Sequence, residues 1–265
     1  MALPSPAPES TCLITGASSG IGAEIARSLA RRGHGVTLVA RRTERLEQLA
    51  EELRDPGRVR VELMGCDLGD ATARRRMTAE IEEGGLSVEV LVNSAGFGSG
   101  GRFDQLDAER EVEMVRLNVE AVVDLCGRYV PAMVQRGRGG VLNVASTAAF
   151  QPLPRQATYA ASKAFVLSFT DSLHEELSRT GVTATTLCPG PVRTEFWQAS
   201  GIEAGGLPAF VLADAAEVAE AGVNGLEKGR RVVVPGPLNR AGALGGQLAP
   251  RGVLLKVAGK VYPVG

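Results

Sequence analysis

Three residues in the middle of the chain are of types suited to moving a proton. Tyr159 and Lys163 stand four apart in Tyr159-Ala-Ala-Ser-Lys163, the spacing that places two side chains on one helix face. A phenol ionises near ~10, too high for a base at neutral pH, and an ammonium beside it is expected to lower that value. Ser146 lies thirteen residues earlier, at the end of the apolar run Val-Leu-Asn-Val-Ala. Its hydroxyl can hold a substrate oxygen while the phenol gives or takes the proton. Taken alone, Tyr-x-x-x-Lys is equally the pattern of an ordinary amphipathic helix, so its surroundings decide.

A second cluster is a glycine turn, Thr15-Gly16-Ala17-Ser18-Ser19-Gly20-Ile21-Gly22. Gly16 permits a tight turn, Gly20 a close approach of backbone to a pyrophosphate, and Gly22 tight packing of helix on strand. The N–H groups of Ser18, Ser19, Gly20 and Ile21 then face the phosphates at a helix start. The spacing is GxxxGxG rather than GxGxxG, but the physics is shared. At the end of the second strand, where an acidic residue would bond an adenosine ribose, the chain has Ala40 followed by Arg41 and Arg42. With no carboxylate to repel it, a 2′-phosphate can pair with a guanidinium, which favours NADP(H) over NAD(H). The alternative is two solvated arginines ahead of a helix.

The elements that must position these groups follow from hydrophobic periodicity. Strands are expected at 11–15, 35–40, 59–63, 88–92, 141–145, 182–187 and 232–234, and helices at 21–31, 43–53, 70–83, 107–135, 158–180 and 214–226. Six strand-then-helix repeats and a last strand predict an α/β fold, a Rossmann-like doubly wound parallel sheet with helices on both faces. No compositional break divides it. The expected organisation is a disordered lead at 1–9, one catalytic domain at 10–235 and a basic extension at 236–265.

Composition narrows the function classes. The chain has 265 residues, 44% hydrophobic and 22% charged, with a formal charge of −1, which argues against nucleic-acid binding by bulk charge. Cys12, Cys66, Cys126 and Cys188 are widely spaced with no CxxC, reading as reduced, buried thiols rather than a disulfide scaffold or zinc ribbon. His34 and His174 belong to no ligand set and are expected at the surface, so no metal is assigned. No apolar run approaches the ~18 residues of a membrane span, and the first residues lack the basic start and apolar core of a signal peptide. The expected compartment is the cytoplasm.

Taken in order, these motifs resemble the short-chain dehydrogenase/reductase family over residues 10–235. The resemblance rests on Thr15–Gly22, Asp67, Asn93-Ser94-Ala95-Gly96, Asn118, Ser146, Tyr159, Lys163 and Pro189-Gly190-Pro191-Val192-Arg193-Thr194. It implies reversible hydride transfer between C4 of a nicotinamide and a carbonyl or secondary-alcohol carbon, with Tyr159 as the acid/base. Asp67 would contact the adenine, with Leu68 beside it in the cofactor site. Asn93 would support the central strand and cofactor, and Asn118 would anchor a water relay reaching Lys163. Lys163 would also hold the nicotinamide ribose, and Val192 and Thr194 the carboxamide. Ala95, Gly96, Pro189 and Gly190 belong to the same cofactor site. Ser94 and Ala145 depart from the commoner Asn and Ser without removing a catalytic group.

The segment 195–212 holds Phe196, Trp197 and Phe210, three of eleven aromatic residues, together with Pro208. By resemblance it covers the substrate. Phe97, Phe150 and Leu153 are expected to complete an apolar wall, which favours an apolar ketone or aldehyde. Acyl-carrier-protein 3-oxoacyl reductases are the alternative, although they end soon after the last strand and this chain runs on past Val234. A binder that senses NADPH without turnover is the alternative from another class.

From Lys228 onward there are seven basic residues and no acidic one, leaving −8 for the remainder. Val253, Val257 and Val261 recur every four residues, with Lys256 and Lys260 on another face, a pattern able to lie weakly on an anionic bilayer. An arm packed on the acidic body, of the same or a neighbouring subunit, is the other reading, and Gly252 and Gly259 weaken any long helix there. Small and apolar residues on helices 107–135 and 158–180 (Ala121, Val122, Leu125; Ala160, Ala164, Leu167) suit the pairing by which relatives form homodimers or homotetramers.

Overall fold

The computed structural model describes residues 3–54, 59–200 and 212–261. Seven strands run parallel: β1 (Ser10–Thr15), β2 (Val36–Ala40), β3 (Val61–Gly65), β4 (Ser87–Asn93), β5 (Gly139–Val144), β6 (Val182–Leu187) and β7 (Val232–Val233), in the order β3-β2-β1-β4-β5-β6-β7. The helices between them are α1 (Gly20–Arg31), α2 (Thr43–Arg54), α3 (Ala71–Glu83), α4 (Ala108–Val115), α5 (Ala121–Arg136), α6 (Ala157–Glu176), α7 (Phe196–Ser200) and α8 (Ala215–Glu227). The chain folds as one Rossmann-like domain.

The near-continuous β-branched and leucine runs of these strands reflect a sheet buried on both faces. Alternation along β1 sorts its side chains. Cys12 and Ile14 join Ile25 and Leu29 of α1 and Val218 and Val223 of α8, while Leu13 joins Met77 and Ile81 of α3, Leu125 of α5 and Val166 of α6. Burying each such leucine or isoleucine contributes about 1.5–3 kcal/mol.

The strand order reverses at β1, which lies between β2 and β4, and a crevice opens there at the carboxyl ends of the strands. Thr15 braces it. Its hydroxyl donates to the Val92 carbonyl at 3.1 Å and accepts from the Ser94 and Ala95 N–H groups at 2.9 and 3.1 Å.

The helix expected at 107–135 is interrupted by a π-turn, Arg116–Glu120, that separates α4 from α5. The basic extension forms two short helices, α9 (Pro237–Leu248) and α10 (Arg251–Val261), rather than one long one. Pro250 precedes α10 and, lacking an N–H, ends any continuation of α9. Within the stretch expected to be a lead, Leu3 packs beside Gly140, and Ser87 donates to the Glu9 carbonyl. No helix among the described residues is long and apolar enough to cross a membrane.

Candidate active site

A cavity of about 670 Å³ occupies the crevice. At one end the glycine turn forms its floor. Gly16 has φ +68°, and a Cβ there would come within 2.8 Å of the Ala95 Cα; a Cβ on Gly22 would overlap the Gly16 carbonyl. Both positions therefore exclude larger residues. Ser19 precedes α1 with extended backbone and makes no side-chain cap bond, and the first turn has no acidic residue. Asp70, Asp107 and Asp214 cap α3, α4 and α8 with their carboxylates. The N–H groups of Ser18 and Ser19 before α1 and of its first residues Gly20, Ile21 and Gly22, all lining the cavity, are thus placed to meet an anion.

Arg41, Arg42, Asp67 and Leu68 line the adjoining wall. Arg42 donates to the hydroxyls of Ser18 and Ser19, each at 3.2 Å, and to Glu195 at 3.1 Å; Arg45 reaches the other Glu195 oxygen at 2.5 Å. These arginines hold the Glu195 carboxyl below its usual range, Arg45 foremost. Asp67 accepts from the Gly69 N–H at 3.0 Å.

At the opposite end stand Ser146, Tyr159 and Lys163, brought together as the sequence predicts. Ser146 follows β5 and caps the short turn Thr147–Phe150, its Oγ accepting from the Ala148 N–H at 3.1 Å. Lys163 donates to the Val144 carbonyl at 3.0 Å, and its Nζ lies 5.8 Å from the centroid of the Tyr159 ring. Both side chains are more than nine-tenths buried.

Burial sets their titration and corrects one expectation. The Tyr159 phenol is pushed up to about 12, not down, because desolvation outweighs the opposing hydrogen bond with Ser146. The same desolvation pushes Lys163 down to about 8, so each group resists its own charged form.

Ala95, Gly96, Pro189, Gly190, Val192 and Thr194 line the cavity between the two ends. Asn93 and Asn118 do not reach it and act from behind. Asn93 donates to Asn143 at 2.8 Å across the ends of β4 and β5, and Asn143 donates to Thr170 of α6. Asn118, on the π-turn, clasps Phe97 by accepting from its N–H at 3.2 Å and donating to its carbonyl at 2.9 Å. It also donates to Ser162 at 3.1 Å. Gly96 lies between Asn118 and Lys163: a Cβ there would be 2.8 Å from Asn118 Oδ1 and 3.5 Å from Lys163 Nζ.

The substrate end is walled by Phe97, Leu153, Tyr159, Phe196 and Trp197. The Tyr159 and Phe196 rings are 5.5 Å apart, and Trp197 is fixed by its indole N–H on the Val192 carbonyl at 2.8 Å. Phe150 is a correction: it does not line the cavity but packs against the core cluster that holds Val166 and Leu125, while its carbonyl and Cβ meet Gly246 of α9. Pro208 and Phe210 lie outside the described residues.

Sequence reasoning passed over Arg45, Leu117 and Gln156, and the seating of Asn239 of α9 against Gly190. These depend on contacts between distant segments. Cys66 also lines the cavity, and all four thiols are free and buried. Of the two histidines expected at the surface, His34 is buried, whereas His174 is half-buried with its Nδ1 2.7 Å from the Ala184 carbonyl. Among the described residues no cluster could hold a metal.

Residues 10–204 match the family model described as short chain dehydrogenase. A Streptomyces coelicolor protein, provisionally named a ketoacyl reductase, is 35% identical over 88% of this chain and 96% of its own. A short-chain dehydrogenase from Sphingobium yanoikuyae, solved in complex with NADPH, superposes with a TM-score of 0.80 at 36% identity, covering 89% of this chain and 92% of that one. The bulky-bulky ketone specific alcohol dehydrogenase from Comamonas testosteroni superposes with a TM-score of 0.76 at 31% identity, over 86% and 87% of the two chains. With the glycine turn, the strand-end serine and the Tyr-x-x-x-Lys helix converging on one crevice, the chain belongs to the short-chain dehydrogenase/reductase family of oxidoreductases.

Proposed function

We propose that this chain is an NADP(H)-dependent oxidoreductase that interconverts a carbonyl and a secondary alcohol on an apolar substrate, with Tyr159 as acid/base. The observation that carries the reading is the placement of Ser146, Tyr159 and Lys163 at one end of a cavity whose other end is an uncapped helix start flanked by Arg41 and Arg42. When bound, the nicotinamide supplies or accepts the hydride at the substrate carbon.

The chain's own residues do the rest. N–H groups from Ser18 to Gly22 hold the pyrophosphate, and Arg41 and Arg42 hold the 2′-phosphate. Asp67 and Leu68 take the adenine. Ser146 fixes the substrate oxygen, and Tyr159 gives that oxygen its phenolic proton in reduction or removes it in oxidation. Lys163, anchored to Val144, carries the charge that steadies the phenolate while the proton is away. Asn118 keeps Phe97 and Ser162 in place behind it. Phe97, Leu153, Phe196 and Trp197 exclude water and suit an apolar substrate. The NADPH complex of the Sphingobium relative and the ketone specificity named for the Comamonas relative support both halves of the reading.

We assign the protein to the cytoplasm on its unpaired thiols. We assign a homo-oligomer on the apolar side chains left exposed on α4, α5 and α6, among them Val112, Val123 and Phe165. A second reading, reduction of a 3-oxoacyl thioester, is favoured by the Streptomyces relative that spans nearly the whole chain.

The test is oxidation of NADPH against a panel of apolar ketones and aldehydes, extended to acyl thioesters. Turnover confined to the ketones and aldehydes supports the first reading. Turnover confined to thioesters replaces it with the second. NADPH binding without turnover on any member leaves a sensor.

A further inference from the structure

Helices α9 and α10 carry apolar side chains outward in a segment that holds no acidic residue. On α9, Ala243 and Gly246 form the packed face, seated on the Thr147–Phe150 turn through the contact of Gly246 with Phe150. The opposite face presents Leu244 and Leu248, four residues apart and 55% and 76% exposed, with Leu238 at 65% near the helix start. On α10, Val253 and Leu255 are about half exposed. Surrounding them, Arg240, Arg251 and Lys256 are exposed, and among the described residues none of the three makes an ion pair.

That last fact argues against an arm held on the body of its own chain. An arm held on the acidic body of its own chain would spend its bases on carboxylates. Arg231 does so with Asp171, but it precedes the helices. Beyond it Arg240 caps the Val234 carbonyl at 2.9 Å, and α9 is held by small residues and by Asn239 against Gly190. None of the contacts that hold α9 uses a carboxylate, so the charge of Arg240, Arg251 and Lys256 remains available.

We propose that α9 and α10 form a monotopic docking surface for an anionic lipid bilayer, lying in the plane of the interface. Leu244 and Leu248 of α9 enter the headgroup boundary while the bases that make no ion pair meet lipid phosphates. The segment from Lys228 onward is +7 with no acidic residue, whereas the rest of the chain is −8, so an anionic surface attracts the tail and repels the body. That opposition fixes orientation as well as attachment. It brings the membrane to within about one helix diameter, ~10 Å, of the turn that begins at Ser146. An apolar substrate dissolved in lipid then reaches the cavity from the surface on which the protein rests.

The experiment is flotation of the full chain with vesicles of phosphatidylcholine containing about one third phosphatidylglycerol, against phosphatidylcholine alone, at low and high salt. Truncation is avoided because it would strip the contact with Phe150. Two variants replace it: Leu244→Asp with Leu248→Asp, and Arg251→Glu with Lys256→Glu. The expected result is flotation on anionic vesicles only, weakened by salt, with both variants partitioning at least about tenfold more weakly. Each variant is also to keep the wild-type thermal transition and NADPH titration. The proposal is overturned if the wild type fails to float, or floats equally on phosphatidylcholine, or if the leucine variant floats normally. A leucine variant that leaves flotation intact but converts an oligomer to a monomer on size exclusion assigns the face to a second copy of the chain instead. Because NADPH turnover is read separately, loss of this proposal leaves the enzymatic reading standing.

Discussion

Arg42 Nη1 lies 3.1 Å from Glu195 Oε2, so the second residue after β2 is tied across the cavity rim to the residue that follows Thr194. The guanidinium proposed to receive a 2′-phosphate is therefore already shared with a carboxylate, and Arg45 grips the same group. On the proposed reading, Glu195 competes with the cofactor's 2′-phosphate for Arg42. An exposed pair of this kind contributes little, which sets the scale: Glu195→Gln is expected to lower the KM for NADPH about twofold to fivefold while leaving that for NADH unchanged. Steady-state kinetics with both cofactors check this. An equal shift for the two removes the competition.

Arg41 is exposed on the cavity wall next to Ala40, where no carboxylate stands. Charge-assisted hydrogen bonds to a phosphate are worth about 1.5–3 kcal/mol, so Arg41→Asp should raise the KM for NADPH about tenfold or more. The KM for NADH should change little. Equal effects on both would remove the 2′-phosphate assignment.

Burial pushes Lys163 from the ordinary 10.5 down to about 8. Between those pH values the unfolded chain binds more protons at this residue than the folded one, so its contribution favours folding increasingly as pH rises through the window. Below about 8 it is a full penalty, of roughly 3 kcal/mol. Lys163→Met removes the titration. The stability of the variant relative to wild type, from urea midpoints without cofactor, should therefore be greatest near neutral pH and shrink toward pH ~10.5. A difference constant across that window contradicts the burial.

How far the sequence led can be seen element by element. The strands lie within about two residues of their expected bounds because a parallel sheet buried on both faces gives most of them a dense run of β-branched residues and leucine, the threonines of β6 included. The glycine turn and the Tyr159–Lys163 pair are legible for a related reason: their geometry is set within a few residues by a turn and a helix period. Other features arise only when distant segments meet. The Glu195 clasp joins residues 150 positions apart, and Phe150 is packed into the core beside α9 rather than on the cavity wall. The π-turn at Arg116–Glu120 resembles ordinary helix in sequence, and its irregularity shows once Asn118 is drawn to Phe97 and Ser162. The upward shift of Tyr159 had no sequence signal, since the spacing reveals a neighbouring cation but not the depth of burial.

The most direct measurement is turnover of Tyr159→Phe alongside its NADPH titration. In the proposed mechanism the phenol accounts for the proton and for none of the cofactor contacts assigned to the glycine turn and the arginines. The variant should bind NADPH within about threefold of wild type while kcat falls about 10²- to 10⁴-fold. Turnover comparable to wild type, with binding intact, would show that another group moves the proton.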